Sequence, residues 1–174
     1  MDPRIMTLEA IVRSEAVQTH VAQVLQRVQR ELAAGAAPMA WETVPLALFD
    51  LPFPEAIRSC WVFVIRAGAE TGAERHPNSH QRSLSLTGHG DFQMREEGRW
   101  RPYPLVSDPG APLERRWVSI PQNTWHRLFV GDESWGMLSF HTVASEELIE
   151  ERPIGPDGLD GGPTERHRYQ AQRS

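Results

Sequence analysis

The sequence HQRSLSLTGHGDFQM, residues 80–94, contains two short β-type stretches on either side of a glycine-rich turn. Polar and apolar residues alternate in His80–Thr87, and Asp91–Met94 follows the turn Gly88-His89-Gly90. Alternation of this kind is typical of a strand with two different faces, and paired glycines allow a tight reversal of the chain. The stretch therefore predicts a strand, a turn and a second strand.

Further short strands are predicted on both sides of this unit. They are Cys60–Arg66, Trp117–Ile120, His126–Val130 and Trp135–Val143. Cys60–Arg66 (CWVFVIR) is a continuous aromatic and β-branched run, which suits a strand buried on both faces. Turns rich in Gly, Pro, Asn and Asp separate the strands, and no helix alternates with them. This spacing predicts a mainly β antiparallel sandwich or barrel and excludes a doubly wound fold.

The two ends of the chain differ from this central part. Residues 7–34 carry apolar side chains at helical spacing, with Gly35 at the expected stop, and predict one helix. Residues 145–151 predict a short helix or an acidic extension. Residues 153–174 are polar and rich in Gly and Pro, which is typical of a flexible tail or of a segment that wraps a neighbouring subunit. We therefore expect a helical arm (1–40), a β-barrel (41–152) and a tail (153–174).

Composition excludes several classes of function. The 174 residues carry a net charge of −5, so the chain lacks the basic surface that nucleic-acid binding requires. No apolar run is long enough for a membrane span, and the N-terminus lacks a signal-peptide pattern. The single cysteine, Cys60, excludes an intrachain disulfide and predicts a cytoplasmic protein. All 18 basic residues are arginine, which excludes lysine-based chemistry such as a Schiff base.

Four residues are the candidate metal ligands. Glu74, His76 and His80 share one parity on an extended chain, and His126 follows the turn Pro121-Gln122-Asn123. Imidazole nitrogens and a carboxylate that converge at a strand end are suitable donors for a divalent transition metal.

These residues resemble the motifs of the cupins, small double-stranded β-helix (jelly-roll) barrels that hold a metal or ligand inside. Pro121–His126 (PQNTWH) matches the second motif, P-x-G-x-x-H, with Asn123 in place of glycine, a residue that also tolerates a left-handed turn. With Gly88 taken as the hairpin glycine of the first motif, the count back places His80 at the glutamate position. The chain then reads E-x-H-x-x-x-H where the family reads H-x-H-x-x-x-E.

The resemblance covers residues 60–143 and implies a cupin barrel with an N-terminal helical extension. It implies a divalent metal, Fe(II) first and Zn, Mn or Ni as alternatives, bound by His76, His80 and His126. Glu74 would be a fourth ligand or an acceptor that orients a histidine. Cupins with three-histidine iron sites include dioxygenases, and many cupins dimerise. The resulting hypothesis is a homodimeric oxidoreductase of the dioxygenase type that acts on a small anionic molecule.

Two alternative functions remain open, a non-redox lyase, isomerase or hydrolase and a non-catalytic barrel that binds a small molecule. Two further residues are candidates for catalysis. By alternation from His80, Arg82 points into the barrel with Leu84, where it could clamp a substrate carboxylate, and Gln81 points out. A buried internal ion pair is the structural alternative for Arg82. His141 lies in the last predicted strand and is the second candidate.

Overall fold

The computed structural model describes residues 2–49, 53–54 and 56–168. Two helices come first, α1 (Pro3–Val12) and α2 (Glu15–Ala34). Ten strands follow: β1 (Met39–Thr43), β2 (Ser59–Ile65), β3 (Gln81–Thr87), β4 (His89–Glu96), β5 (Arg99–Val106), β6 (Trp117–Ile120), β7 (His126–Val130), β8 (Trp135–His141), β9 (Ile149–Pro153) and β10 (Thr164–Arg168).

The central strands form two antiparallel sheets. One sheet has the order β1-β2-β8-β3-β6 and the other has the order β5-β4-β7. Residues 70–76, called the edge segment below, extend the second sheet through single antiparallel bridges from Glu70 to Phe129 and from Glu74 to His126. Without β1, the orders are therefore β2-β8-β3-β6 and edge segment-β7-β4-β5, which is the double Greek key of a jelly roll. The predicted fold class, a mainly β jelly roll with an N-terminal helical extension, is confirmed.

The predicted turn at Gly88 is present but joins two sheets. Gly88 has φ 71°, and a Cβ at this position would lie 2.5 Å from the carbonyl oxygen of Ser134. β3 and β4 on either side of it lie in different sheets and do not pair. Gly88 is therefore required at a corner of the barrel rather than at the tip of a hairpin.

The first sheet is buried on both faces. Every residue of β2 and β8 is buried. One face of the sheet packs against the helices in a cluster that includes Val62, Leu84 and Phe140, and the other face lines the barrel. Because the helices cover the outer face, β2 and β8 bury side chains on both faces, against the helices on one side and inside the barrel on the other.

The single predicted helix over residues 7–34 is two helices. The chain is extended at Ser14 (φ −65°, ψ 138°), which separates α1 from α2. The predicted apolar stripe of α2 is confirmed, since its six members are all buried: Val17, Val21, Val24, Leu25, Val28 and Leu32. The stripe packs α2 onto the outer face of the first sheet.

An ion pair ties the start of α1 to the barrel. Asp2 caps α1 by accepting a hydrogen bond from the backbone N–H of Arg4. Its other oxygen, Oδ2, lies 2.6 Å from Nη2 of Arg82 and also accepts a hydrogen bond from Ser119. The Arg82 side chain is only 1% exposed, so its charge depends on this partner.

The predicted short helix or acidic extension (145–151) and the predicted tail (153–174) both contain regular structure. Ser145–Glu147 is a single 3-10 turn, and β9 after it pairs with β10. β9 also meets the edge segment, since Arg75 and Glu151 exchange backbone hydrogen bonds. The part of the tail prediction beyond residue 168 lies outside the described residues.

No helix among the residues described is long and apolar enough to cross a membrane.

Asp2→Asn tests the ion pair that ties α1 to the barrel. Asparagine caps a helix about as well as aspartate, so the change removes mainly the negative charge beside Arg82. We expect the free energy of unfolding in urea to fall by about 1–3 kcal/mol, because the buried guanidinium loses its counter-charge.

Glu42→Gln is the matched control. It changes a carboxylate to an amide in the exposed Arg27–Glu42 pair, whose N–O distance is also 2.6 Å. Exposed pairs contribute little, so we expect a change below about 0.5 kcal/mol. Equal losses in the free energy of unfolding for the two substitutions would show that burial of Arg82 does not strengthen its ion pair with Asp2.

Candidate metal centre

Glu74 and His126 lie directly opposite each other on two antiparallel strands. The backbone N–H of Glu74 donates to the carbonyl of His126 at 2.9 Å, and the reverse bond is 2.8 Å long. Residues opposed in this way project their side chains to the same face. The Nε2 atom of His126 lies 3.5 Å from Oε1 of Glu74.

The turn before His126 brings His76 to the same place. Asn123 adopts φ 65°, as the substitution of Asn for Gly in the motif predicts, and its N–H donates to the carbonyl of His76. The imidazole rings of His76 and His126 have centroids 5.3 Å apart. Ligand atoms of Glu74, His76 and His126 all lie within 4.8 Å of one another, so this triad has the size of a metal site.

The hydrogen bonds of the two histidines fix their tautomers. Nδ1 of His76 lies 3.1 Å from the carbonyl oxygen of Ile149, and Nδ1 of His126 lies 3.0 Å from that of Thr124. A carbonyl only accepts, so each ring donates from Nδ1 and, when neutral, carries its lone pair on Nε2. The lone pair of His126 and the carboxylate of Glu74 are then two acceptors that face each other. A cation, either a second proton on His126 or a metal ion, must lie between them.

His141 and Gln81 complete the polar lining of the cavity. They are paired neighbours on β8 and β3, and both are buried. The rings of His76 and His141 have centroids 5.3 Å apart. Within the described part of the chain, three buried atoms that line this cavity have no hydrogen-bond partner: Nε2 of His126, Nε2 of His141 and Oε1 of Gln81. Buried polar atoms are rarely left unpaired, so a metal ion fits these donors.

Apart from Thr71 and Ser139, the rest of the cavity wall is apolar. It includes Phe63, Ile65, Phe92, Leu128 and Met137. Phe92 stacks on the ring of His126 with 5.4 Å between centroids. The cavity volume is about 30 Å³, which holds an ion with one or two water molecules.

Burial keeps two of the imidazoles neutral. It lowers the pKa of His76 to about 4, aided by the neighbouring charge of His126 and opposed by Glu74. Burial also lowers the pKa of His141 well below its usual value, and the charges of His76 and His126 act in the same direction. Since metals bind the neutral form of imidazole, the environment prepares both rings for coordination near pH 7.

Glu74 is ionised despite its burial. Desolvation would raise its pKa, but the adjacent imidazole of His126 and the nearby charges of His76 and Arg152 lower it to about 2. Arg152 of β9 donates to Oε2 of Glu74 at 3.2 Å and to Glu150 at 2.5 Å. β9, at the end of the predicted barrel range (41–152), therefore orients both Glu74 and, through the Ile149 carbonyl, His76.

His80 does not join the other predicted ligands. Its Nε2 atom is hydrogen-bonded to Ser119 at 2.8 Å, and it lies near Asp2 on the helix side. The predicted motif register was off by one residue. In the first cupin motif, six residues separate the glutamate from the glycine. Counted back from Gly88, the glutamate position falls on Gln81, which lines the cavity.

The predicted orientation of Arg82 was wrong for the same reason. Gln81 lines the cavity, so Gln81, Ser83 and Ser85 lie on the inner face of β3. Arg82 lies on the other face, against Asp2. Arg82 instead forms an internal ion pair with Asp2, which was the alternative considered from the sequence. His141 was a candidate from sequence and lies in the cavity, whereas Gln81 was missed although the motif spacing identifies it.

No protein-family model and no curated protein matches the sequence. Solved structures with a similar fold include an oxalate oxidase in complex with glycolate (11% identity, TM-score 0.48, 63% of this chain and 53% of that chain). An oxalate decarboxylase from Lactobacillus farciminis has 16% identity, a TM-score of 0.47 and coverage of 62% and 30%. A salicylate 1,2-dioxygenase from Pseudoaminobacter salicylatoxidans, in complex with gentisate, has 15% identity, a TM-score of 0.49 and coverage of 70% and 31%.

The chain spans about half the length of the oxalate oxidase and less than a third of the other two proteins. At these identities the likeness is one of fold. The strand order and the buried triad of Glu74, His76 and His126 define the protein as a jelly-roll barrel with a candidate metal centre.

The low pKa of His76 predicts how stability depends on pH without metal. The unfolded chain takes up a proton on this histidine near pH 6.5 and the folded chain only near pH 4. Stability is therefore lost as the pH falls from 6.5 toward 4, by up to about 3 kcal/mol for this residue.

Urea unfolding at pH steps from 7.5 to 4.5, in the presence of EDTA, measures this loss. The His76→Gln variant removes one titrating group, so its stability should fall less steeply than that of the wild type over the same range. Parallel curves for the two proteins would contradict the neutral state assigned to His76.

Proposed function

We propose that the protein is a metal-dependent cupin enzyme that binds one divalent transition metal through Glu74, His76 and His126. The observation that carries the proposal is the approach of His126 Nε2 to Glu74 Oε1, 3.5 Å apart inside an apolar cavity. A carboxylate and an imidazole lone pair repel each other there unless a cation joins them. The unpaired Nε2 atom of His141 and amide oxygen of Gln81 offer further donors.

We propose Fe(II) as the metal and oxygen-dependent oxidation of a small anionic molecule, of the dioxygenase type, as the reaction. Bound iron would supply a Lewis-acidic centre and one-electron redox chemistry. The mixed set of histidines and one carboxylate suits iron and manganese as well as zinc.

The chain's own groups have separate tasks in this proposal. The Ile149 and Thr124 carbonyls hold His76 and His126 in one tautomer and orientation. Arg152 holds Oε2 of Glu74, which leaves Oε1 directed toward His126. The apolar wall excludes bulk water, which strengthens every charge interaction inside.

The site also limits the substrate. Arg82 cannot clamp a carboxylate here, because its side chain is bound to Asp2 on the opposite face of the sheet. No arginine lines the described cavity, so the positive charge that attracts an anion would be that of the metal. His141 then remains a candidate for hydrogen bonding to the bound molecule. A volume of about 30 Å³ requires a very small substrate or displacement of a wall residue such as Leu148.

The cytoplasmic location and the homodimer expected from sequence remain parts of this proposal. Elution volume and light scattering of the purified protein test the dimer directly.

Replacement of His126 by Ala should remove the metal. The variant loses the donor opposite Glu74, and we expect metal content per chain to fall at least about tenfold. Elemental analysis of protein purified without tag or chelator measures this.

His80→Ala is the matched control, since it removes a histidine that lies just before β3 and outside the cavity lining. We expect it to retain the wild-type metal content. Loss of metal in His80→Ala but not in His126→Ala would overturn the assigned ligand set. Absence of metal from both the wild type and the Fe(II)-reconstituted protein would leave a non-catalytic ligand-binding barrel.

The oxygen-dependent reaction is tested separately on iron-loaded protein. Oxalate, glycolate and gentisate are the probes, because these acids occur in the names or complexes of the solved proteins with a similar fold. We expect oxygen consumption with at least one small acid in the wild type and none above background in His126→Ala. Product formation at an equal rate without oxygen, or with zinc in place of iron, would instead establish the non-redox alternative.

A further inference from the structure

A second and larger cavity lies between the helices and the barrel. Its volume is about 330 Å³, within the roughly 300–1,000 Å³ typical of small-molecule sites. Side chains from α1, α2 and β3 line it, together with Arg116 just before β6. It shares no lining residue with the candidate metal centre. We call it the helix-layer cavity.

Most of the wall of the helix-layer cavity is apolar. The apolar members are Val12, Val21, Ala22, Leu25, Leu84, Leu86 and Pro109. They belong to both the helices and the sheet, so a ligand body placed here would contact two layers of the fold. The wall therefore favours an alkyl or aromatic body over a sugar or a nucleotide.

A buried arginine lies in this wall with an unsatisfied donor. Arg116 is 7% exposed, and its Nη1 atom donates to Oε1 of Glu9 at 2.6 Å. Its Nε–H has no acceptor among the described residues. A buried N–H of a charged group is costly to leave unpaired, so the described residues satisfy the Arg116 guanidinium only in part.

Glu9 cannot supply that acceptor, because its oxygens already bind other donors. Oε1 accepts from Arg13 at 2.5 Å and from Arg116, and Oε2 accepts from the indole N–H of Trp117 at 2.7 Å. Glu9, Arg13 and Arg116 are the charged residues in the described lining, and their charges sum to +1. One negative charge on a ligand would balance this cluster.

We propose that the helix-layer cavity binds a small amphipathic monocarboxylate, with its carboxylate on the guanidinium of Arg116 and its alkyl or aromatic body against the apolar wall. A carboxylate forms short, charge-assisted hydrogen bonds with a guanidinium. A neutral alcohol of the same length supplies the acceptor and the apolar body but not the charge. This site is independent of the proposed metal chemistry.

The test is calorimetric titration of the full chain with octanoate and, separately, with 1-octanol. We expect one octanoate site per chain and at least tenfold weaker binding of 1-octanol. Arg116→Gln should weaken octanoate at least tenfold and 1-octanol much less, because the alcohol loses a neutral hydrogen bond and octanoate also loses the attraction of the charge. Equal affinities for the two probes, or no octanoate binding at millimolar concentration, would overturn the proposal.

A second pair of variants keeps the test informative if Arg116→Gln fails to fold. Ala22→Trp fills the cavity from the exposed side of α2 and should weaken octanoate at least tenfold. Ala33→Trp places the same side chain on α2 outside the cavity lining and should bind like the wild type. His126→Ala should also bind octanoate normally. Unchanged binding in Ala22→Trp, or lost binding in His126→Ala, would place the carboxylate elsewhere and refute the site.

Discussion

The candidate metal centre depends on one short stretch of backbone pairing. Glu74 and His126 exchange two backbone hydrogen bonds, and Asn123 donates a third to His76. These bonds bring a carboxylate and two imidazoles to one point, although the edge segment is too irregular to form a full strand. The left-handed turn at Asn123 allows the third bond, because a backbone with φ 65° directs its N–H toward His76.

The helical layer determines which face of the first sheet is polar. Since α2 packs its apolar stripe on the outer face, the apolar side chains of β3 are directed toward the helices. The inner face of β3 is then available for Gln81 and two serines, which lie beside His141 and Ser139. A polar cluster can therefore lie inside the barrel and an arginine, Arg82, outside it. The buried charge of Arg82 is paired with Asp2, a partner from the helical layer.

Much of the fold could be predicted from the sequence, because strong local patterns coincide with the strands. Cys60–Arg66 and Trp117–Ile120 are strands or nearly so in the structure. β5 was missed because Pro102 and Pro104 interrupt its pattern, and an edge strand tolerates proline where a central one does not. β9 and β10 were missed because their charged residues give no apolar alternation. They are stabilised by pairing with each other, and β9 also pairs with the edge segment.

By itself the sequence determined the fold class and three members of the site, Glu74, His76 and His126, because motif spacing and turn chemistry are local. The tertiary structure decided the rest. It excluded His80, added Gln81, placed the sequence candidate His141 in the cavity and turned Arg82 away, because one residue of register exchanges the two faces of a strand. It also showed that Arg152 and the Ile149 carbonyl hold the ligands. Such contacts join residues more than 70 positions apart, and no local pattern encodes them.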